Sequence, residues 1–437
     1  MQKFKEKACE VLEHIKKMHN PLVVHHYDCD GLTSGAIVLK GLMENQIKFS
    51  SLCVRKVDEQ LIDEIKNNEE IIFVDLGASS KVIDELKNNV VVIDHHQMIS
   101  KNHLQINPHM FGYDGGRDIS ASGTAYLVFE NMEDIAIVGA IGDMQYPLQG
   151  PNKEILKIGE QKGKIQTTLD LRLYGKTTRP LPHMLSFSDY PYIPMITGNE
   201  KEAVKFLTER EIPIKNGEKW MTYFGLPKET RKKMAGFLIE YLTMWDINTD
   251  KVFGEVYLLN EWPKQSPYYV AEEFSTVLNA CGRNGREDIG LKVCLRNQSA
   301  FKTAEQLLKL HKRNLREGVE YAKKNTVEFS NFYLLDGRGV INDSIIGVVI
   351  GMLFSTKRSK PQFGIADYNE NEIKISGRAL DAHNINIGQI LNKVCEEIGG
   401  VGGGHKQAAG ATIPKNKVND FLIALNNEIE KTVNILQ

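Results

Sequence analysis

Along the first hundred residues, short unbroken apolar runs alternate with stretches of helical spacing. Leu22-Val23-Val24, Ile71-Ile72-Phe73-Val74 and Val90-Val91-Val92-Ile93 have strand length, and their lack of polar alternation is the mark of strands covered on both faces. Residues 8–18 carry an amphipathic pattern that leads into the first run. Thr33–Glu44, Asp58–Asn68 and Ser79–Asn88 supply helical spacing between the later ones. Strands separated by helices of this length predict βαβ units and a parallel sheet. Ser120–Glu130 reads as a further helix, and Ile135–Ile141 as one more strand.

The pattern loosens from Gln149 to Lys215. Arg179-Pro180-Leu181-Pro182 and Tyr190-Pro191-Tyr192-Ile193-Pro194 predict loops or extended chain, since proline and its predecessor resist helix. Helical spacing returns at 201–211 and 227–244. Ser299–Lys324 predicts a long charged helix, with Phe301, Ala304, Leu308, Leu315, Val319 and Ala322 on a packed face. A second α/β pattern follows, with strands near 331–335, 362–366 and 372–376 and helices near 345–356 and 420–432. At 437 residues the chain calls for two or three cores. The expected architecture is α/β: a parallel-sheet domain over 1–195, a mainly helical insertion and connector over 196–298, a linker helix over 299–325, and a smaller α/β domain over 326–437.

Composition narrows the partners. Net charge is −2 and the isoelectric point is near 6.7, so any affinity for nucleic acid must come from a local basic stripe and not a global field. The six cysteines are scattered without a CxxC pair, which fits neither a zinc site nor a disulfide framework and suits a reducing compartment. Met1-Gln2-Lys3-Phe4-Lys5-Glu6 lacks the apolar run of a signal peptide, and no stretch approaches the ~20 apolar residues that span a bilayer. A soluble, cytoplasmic protein with no membrane partner is expected.

The candidate chemistry lies in four clusters that follow in order: His26-Tyr27-Asp28-Cys29-Asp30-Gly31, Asp75, Asp94-His95-His96, and Gly142-Asp143. The carboxyl ends of parallel strands converge on one sheet edge, where open α/β folds place their sites. If the chain past Val24 stays extended, His26, Asp28 and Asp30 share a face and Gly31 ends the strand. Each piece alone has an ordinary reading: Asp75 could cap a helix, and a lone Asp-x-Asp or His-His is a common surface feature. Their joint occurrence at strand ends points instead to a two-metal hydrolytic centre. Oxygen ligands mixed with imidazoles favour manganese over magnesium, and a carboxylate such as Asp75 can bridge two ions about 3.5–4 Å apart.

This set resembles the motifs of the DHH phosphoesterases. Gly399-Gly400-Val401-Gly402-Gly403-Gly404-His405-Lys406-Gln407-Ala408-Ala409-Gly410-Ala411 resembles the GGGH signature of the DHHA1 domain that accompanies them. Within that superfamily the chain is similar to the archaeal RecJ-like nucleases, on the stretches Asp170–Pro180 and Glu273–Arg283. The resemblance implies one divalent ion on His26, Asp28 and a bridging Asp75, and a second on Asp30, Asp75, His95 and Asp143. It makes Asp94 the acceptor of a histidine N–H and sets His96 against the scissile phosphate. The implied activity is exonucleolytic hydrolysis of single-stranded DNA, and of RNA as a second substrate, to nucleoside 5′-monophosphates in replication or repair. The 5′→3′ direction is favoured over 3′→5′. Alternatives are an oligoribonuclease or cyclic-dinucleotide phosphodiesterase, and a scaffold for a replicative helicase complex (GINS-type) or a repair helicase, with docking expected at 196–265.

Substrate contact is expected from the glycine-rich run, where Gly403 and Gly404 let backbone N–H groups approach a phosphate beside His405 and Lys406. The ordinary reading of that run is a tight turn or a helix entry. Arg378, suited to a two-pronged phosphate contact, and Arg283 complete the set.

Overall fold

The computed structural model describes residues 1–188, 193–249, 252–353, 360–379, 385–404 and 406–435. The chain divides into two compact units, Met1–Leu308 and Lys309–Gln437.

The first unit opens with α1 (Gln2–Ile15), β1 (Leu22–His26), α2 (Cys29–Glu44), β2 (Ser50–Val54), α3 (Glu59–Ile65), β3 (Glu70–Val74), β4 (Asn89–Ile93) and β5 (Leu104–Ile106). All five strands are parallel, in the order β2-β1-β3-β4-β5. Alternate residues of these strands enter separate cores. Val23, Ile72, Val74, Val91 and Ile93 pack with α1 and α2, while Leu22, Val24, Ile71, Phe73, Val90 and Val92 pack with α3. Side chains alternate across a pleat, so an unbroken apolar run is what a sheet with two covered faces demands. In place of the expected helix, the Ser79–Asn88 interval holds only a 3₁₀ turn at Lys81–Glu85.

Then come α4 (Ala121–Phe129), α5 (Glu133–Gly142) and α6 (Gly150–Gln161). Ile135–Ile141 is therefore the body of a helix and not a strand. Residues Glu133 to Ile141 are all buried, so the apolar pattern has no polar face to betray a 3.6-residue period. Gly139 allows the close crossing: a Cβ there would sit 2.2 Å from Ser122 Oγ of α4.

β6 (Ile165–Leu171) leads into α7 (Leu181–Ser186), α8 (Glu200–Thr208), the two-residue pair β7 (Lys215–Asn216) and β8 (Lys219–Trp220), and α9 (Lys228–Met244). β9 (Phe253–Leu259) returns antiparallel to β6, with Leu171 opposite Phe253. Residues between them own a separate core, including Leu173, Met184, Phe206, Tyr223 and Leu238. Arg179–Pro182, expected as loop, starts α7, with Pro180 as N-cap and Pro182 in the first turn, where a missing N–H costs nothing. The Tyr190–Pro194 expectation falls largely outside the described residues. α10 (Ala271–Arg283), α11 (Glu287–Cys294) and α12 (Gln298–Asn325) follow, α12 matching the expected long charged helix.

The second unit contains β10 (Thr326–Glu328), β11 (Tyr333–Asp336), α13 (Asp343–Leu353), β12 (Gln362–Asp367), β13 (Glu372–Arg378), α14 (Ile387–Ile398), β14 (Val401–Gly404), β15 (Ala408–Pro414) and α15 (Val418–Ile435). Its mixed sheet runs β10-β11-β12-β13-β15-β14. The glycine-rich run is a strand pair, β14 against β15, and not a helix entry. Among the described residues no helix is long and apolar enough to cross a membrane.

Candidate metal centre

β1 stops at His26, and the chain turns into a helix at once. Asp28 is the N-cap of α2, with its Oδ1 accepting the Gly31 N–H at 3.0 Å, and Asp30 lies in the first turn. The extended His-x-Asp-x-Asp face expected from spacing is thus a strand, a cap and a helical turn. Asx capping is the stronger local preference. The neighbouring Cys29 N–H is taken by Asn279 Oδ1 of α10 at 3.1 Å.

Asp75 follows β3 with φ of +62°, a left-handed conformation uncommon outside glycine, while its N–H continues the ladder to Ile93 O at 3.0 Å. β4 delivers Asp94, His95 and His96. Asp143 is the C-cap of α5.

These elements bring His26, Asp28 and Asp75 into one group and Asp30, His95 and Asp143 into another, each able to offer ligand atoms within 4.8 Å of one another. Asp75 faces both: its Oδ2 is 3.6 Å from His26 Nδ1 and its Oδ1 is 3.3 Å from His95 Nε2. His26 Nδ1 is also 3.1 Å from Asp28 Oδ2. His95 Nε2 is 3.9 Å from Asp30 Oδ2. Asp30 also caps α4, accepting the N–H groups of Ala121 and Ser122 at 2.7 and 3.0 Å; each oxygen keeps a second lone pair.

Protonation reflects the crowding. Burial, and then the Asp75 charge, pushes Asp30 up to about 7, and burial with Asp75 and Asp28 raises Asp143 to about 6. Burial works against charge on His95, yet Asp75, Asp143 and Asp30 hold its pKa well above the usual imidazole value. His26 is raised in the same way by Asp28 and Asp75, against its burial. Asp94 is fully buried, and although burial opposes ionisation, His96 lowers it to about 2. Its Oδ1 accepts from His96 Nδ1 at 2.8 Å and its Oδ2 from the Ala78 N–H at 2.9 Å. The His96 side chain is 48% exposed, the most open of the set.

The donor set fits divalent cations. Asp75 Oδ1 is buried without a hydrogen-bond donor, and four carboxylates that repel one another converge with two imidazoles. His95 Nδ1 donates to Gly115 O at 2.7 Å, which leaves the Nε2 lone pair toward Asp75 and Asp30. Spacing gives no sign of Gly115, of Gln145, which donates to both Gly115 O and Asp143, or of Asn279; their only signal is three-dimensional.

Of the expected substrate residues, Arg378 ends β13 opposite Ala408, and Gly403 and Gly404 face Gly410 and Ala409, so one end of the second sheet carries all three. Lys406 is exposed in the turn after β14, while His405 lies outside the described residues. Arg283 belongs to the first unit, at the end of α10. Burial lowers its pKa, and Tyr27 and Asp28 oppose that shift.

Three family profiles match in order: the DHH family N-terminal domain over residues 20–157, the DHH-CID domain over 173–253 and the DHHA1 domain over 332–431. An uncharacterized protein of Methanocaldococcus jannaschii is 31% identical over 423 residues, covering 92% of this chain and 91% of its own. Among solved structures, RecJ in complex with Mn2+ from Thermus thermophilus superposes with a TM-score of 0.61 at 16% identity over 98% of this chain, which spans 55% of that chain. CDC45 from Entamoeba histolytica superposes with 0.65 at 12% identity, covering 98% of this chain and 99% of that one. At such identities the likeness is one of fold. With its three domains in sequence and its acid–histidine clusters beside the sheet, the chain belongs to the DHH/DHHA1 phosphoesterase superfamily, and its fold resembles those of RecJ and CDC45.

Proposed function

We propose that this hydrolase is a two-metal, single-strand-specific exonuclease that cleaves single-stranded DNA, and RNA as a second substrate, to nucleoside 5′-monophosphates. The observation that carries the reading is Asp75: one carboxylate turns its two oxygens to two separate ligand groups, at 3.6 Å from His26 and 3.3 Å from His95. One ion is assigned to His26, Asp28 and Asp75, the other to Asp30, Asp75, His95 and Asp143. Divalent cations held by these residues, manganese in preference to magnesium, would acidify a water and neutralise charge on the phosphoryl oxygens.

The rest falls to the chain. Asp94 holds His96 by its Nδ1, so the exposed ring can stabilise charge at the leaving oxygen. Gly403, Gly404, His405, Lys406, Arg378 and Arg283 are assigned to contact the phosphate backbone of the substrate. The experiment is digestion of end-labelled single-stranded DNA and RNA of graded length with manganese. Monophosphates released from the 5′ end of long strands are expected. Activity confined to dinucleotides or cyclic dinucleotides would assign the chain to small substrates instead.

A second reading, a replication scaffold with secondary nuclease activity, draws support from the CDC45-like fold along 98% of the chain. Recovery of replicative helicase components by the hydrolytically dead Asp75→Ala protein supports it.

A further inference from the structure

Gln145 is 2% exposed, two residues past Asp143, with Met144 between them in the left-handed region at φ of +61°. Its Nε2 donates to Asp143 Oδ2 at 2.9 Å and to Gly115 O at 2.7 Å. Its Oε1 accepts from Asn152 Nδ2 at 2.7 Å. Both amide protons and the carbonyl are therefore used inside the protein. The orientation of the amide is fixed by its partners: a carboxylate and a carbonyl are both acceptors, so only the NH₂ end can face them.

Gly115 O is the same oxygen that accepts His95 Nδ1–H. The loop that presents it lies so close that a Cβ on Gly115 would fall 1.7 Å from His95 O. One glutamine thus holds Asp143 directly and His95 through the carbonyl that sets its tautomer. These side-chain bonds all run to the Asp143–His95 side and to Asn152, away from His26 and Asp28.

Resting on the two-metal reading above, we infer that Gln145 is a positioning residue for one ion site only, pairing Asp143 with His95 and leaving the site of His26 and Asp28 to other supports. Asn152, fully buried on α6, is the brace behind it. Without the Gln145 amide, Asp143 Oδ2 loses its donor and Gly115 O one of two, so both ligands gain freedom while Asp28 stays capped on Gly31.

The test is manganese titration of the full chain by calorimetry, with free Mn2+ counted by electron paramagnetic resonance. The wild type is expected to bind two ions. Gln145→Leu is expected to retain one at wild-type affinity and to bind the other about 10–100-fold more weakly, the usual effect of removing a ligand's outer partner. Its metal-free melting curve, run alongside, reads fold independently of activity. Asn152→Ala, one bond further out, should weaken the same single ion by a smaller factor if Gln145→Leu does not fold. A wild type that binds no manganese overturns the two-metal reading and this inference with it. Two ions bound by both variants at wild-type affinity, or both ions weakened equally, overturns this inference alone.

Discussion

Asn279 Oδ1 accepts the backbone N–H of Cys29 at 3.1 Å, so a residue 250 positions downstream caps the helix that carries Asp28 and Asp30. The first N–H groups of a helix have no partner within it, and two side chains share them at the start of α2. Asp28 takes the N–H of Gly31, and Asn279 takes that of Cys29. Replacing Asn279 by alanine is expected to lower the stability of the first unit by about 1 kcal/mol in urea denaturation. Asn279→Asp keeps the acceptor and should recover most of it. Equal losses in the two variants would show that the bond contributes nothing.

Gly282, one turn further along α10, meets the loop between β1 and α2. A Cβ there would lie 1.8 Å from Tyr27 O, which is backbone and cannot rotate aside. Gly282→Ala is expected to cost about 1–3 kcal/mol by overpacking and to weaken manganese binding at the His26–Asp28 group. Calorimetric titration that finds unchanged affinity would refute the coupling.

Asp75→Ala and His95→Ala are each expected to abolish hydrolysis of single-stranded DNA. The first removes the carboxylate that both ligand groups share, and the second removes an imidazole ligand of the Asp30–Asp143 group. The check is release of labelled mononucleotide in manganese. Retained metal-dependent cleavage in either variant would overturn the ligand assignment.

The metal-free protein should lose stability as pH rises from about 4 to 8. Asp30 and Asp143 hold their protons more tightly when folded, at about 7 and about 6 against an ordinary 3.8, and His26 and His95 are raised as well. Groups with raised folded values stabilise below their unfolded pKa and lose that contribution as pH climbs through the folded one. Asp28 and Asp94 are lowered and act in the opposite sense, but below about pH 4; His25, lowered by burial, is one opposing group inside the window, against the four raised ones. Added manganese should reverse the trend, since protons compete with it for the same ligands. Scanning calorimetry with chelator and with manganese reads both slopes; a metal-free melting temperature that rises from pH 5 to 8 would contradict these assignments.

What is legible in the sequence follows from burial. Strands covered on both faces leave unbroken apolar runs, so β1, β3 and β4 stand out, and the acids just past them with them. The same rule misleads at Ile135–Ile141, where a helix buried all round writes the same pattern. Spacing also misses the turn at Asp28, because an aspartate fits an N-cap as well as a strand end. The roles of Gly115, Gln145 and Asn279 are hidden for a different reason: Gly115 meets His95, Gln145 meets Gly115 and Asn279 meets Cys29 across 20, 30 and 250 positions, and no local pattern records such a meeting.

The β6–β9 pair has a consequence for protein engineering. Leu171 and Phe253 sit opposite each other in register, so the intervening segment leaves and rejoins the first unit through ends about 5 Å apart. A turn of two or three residues could close that gap. Cutting 196–265 instead would carry β9 away and strip β6 of its pairing. Several stitches join it to that unit: Thr177 donates its backbone N–H and its hydroxyl to buried Glu273 of α10, Tyr223 donates its hydroxyl to Asp170 of β6, and Phe224 packs edge-on against Tyr269. With Glu273 and Asp170 made neutral and Tyr269 trimmed, the segment becomes a cassette to be removed or traded between relatives while the acid–histidine edge keeps its frame.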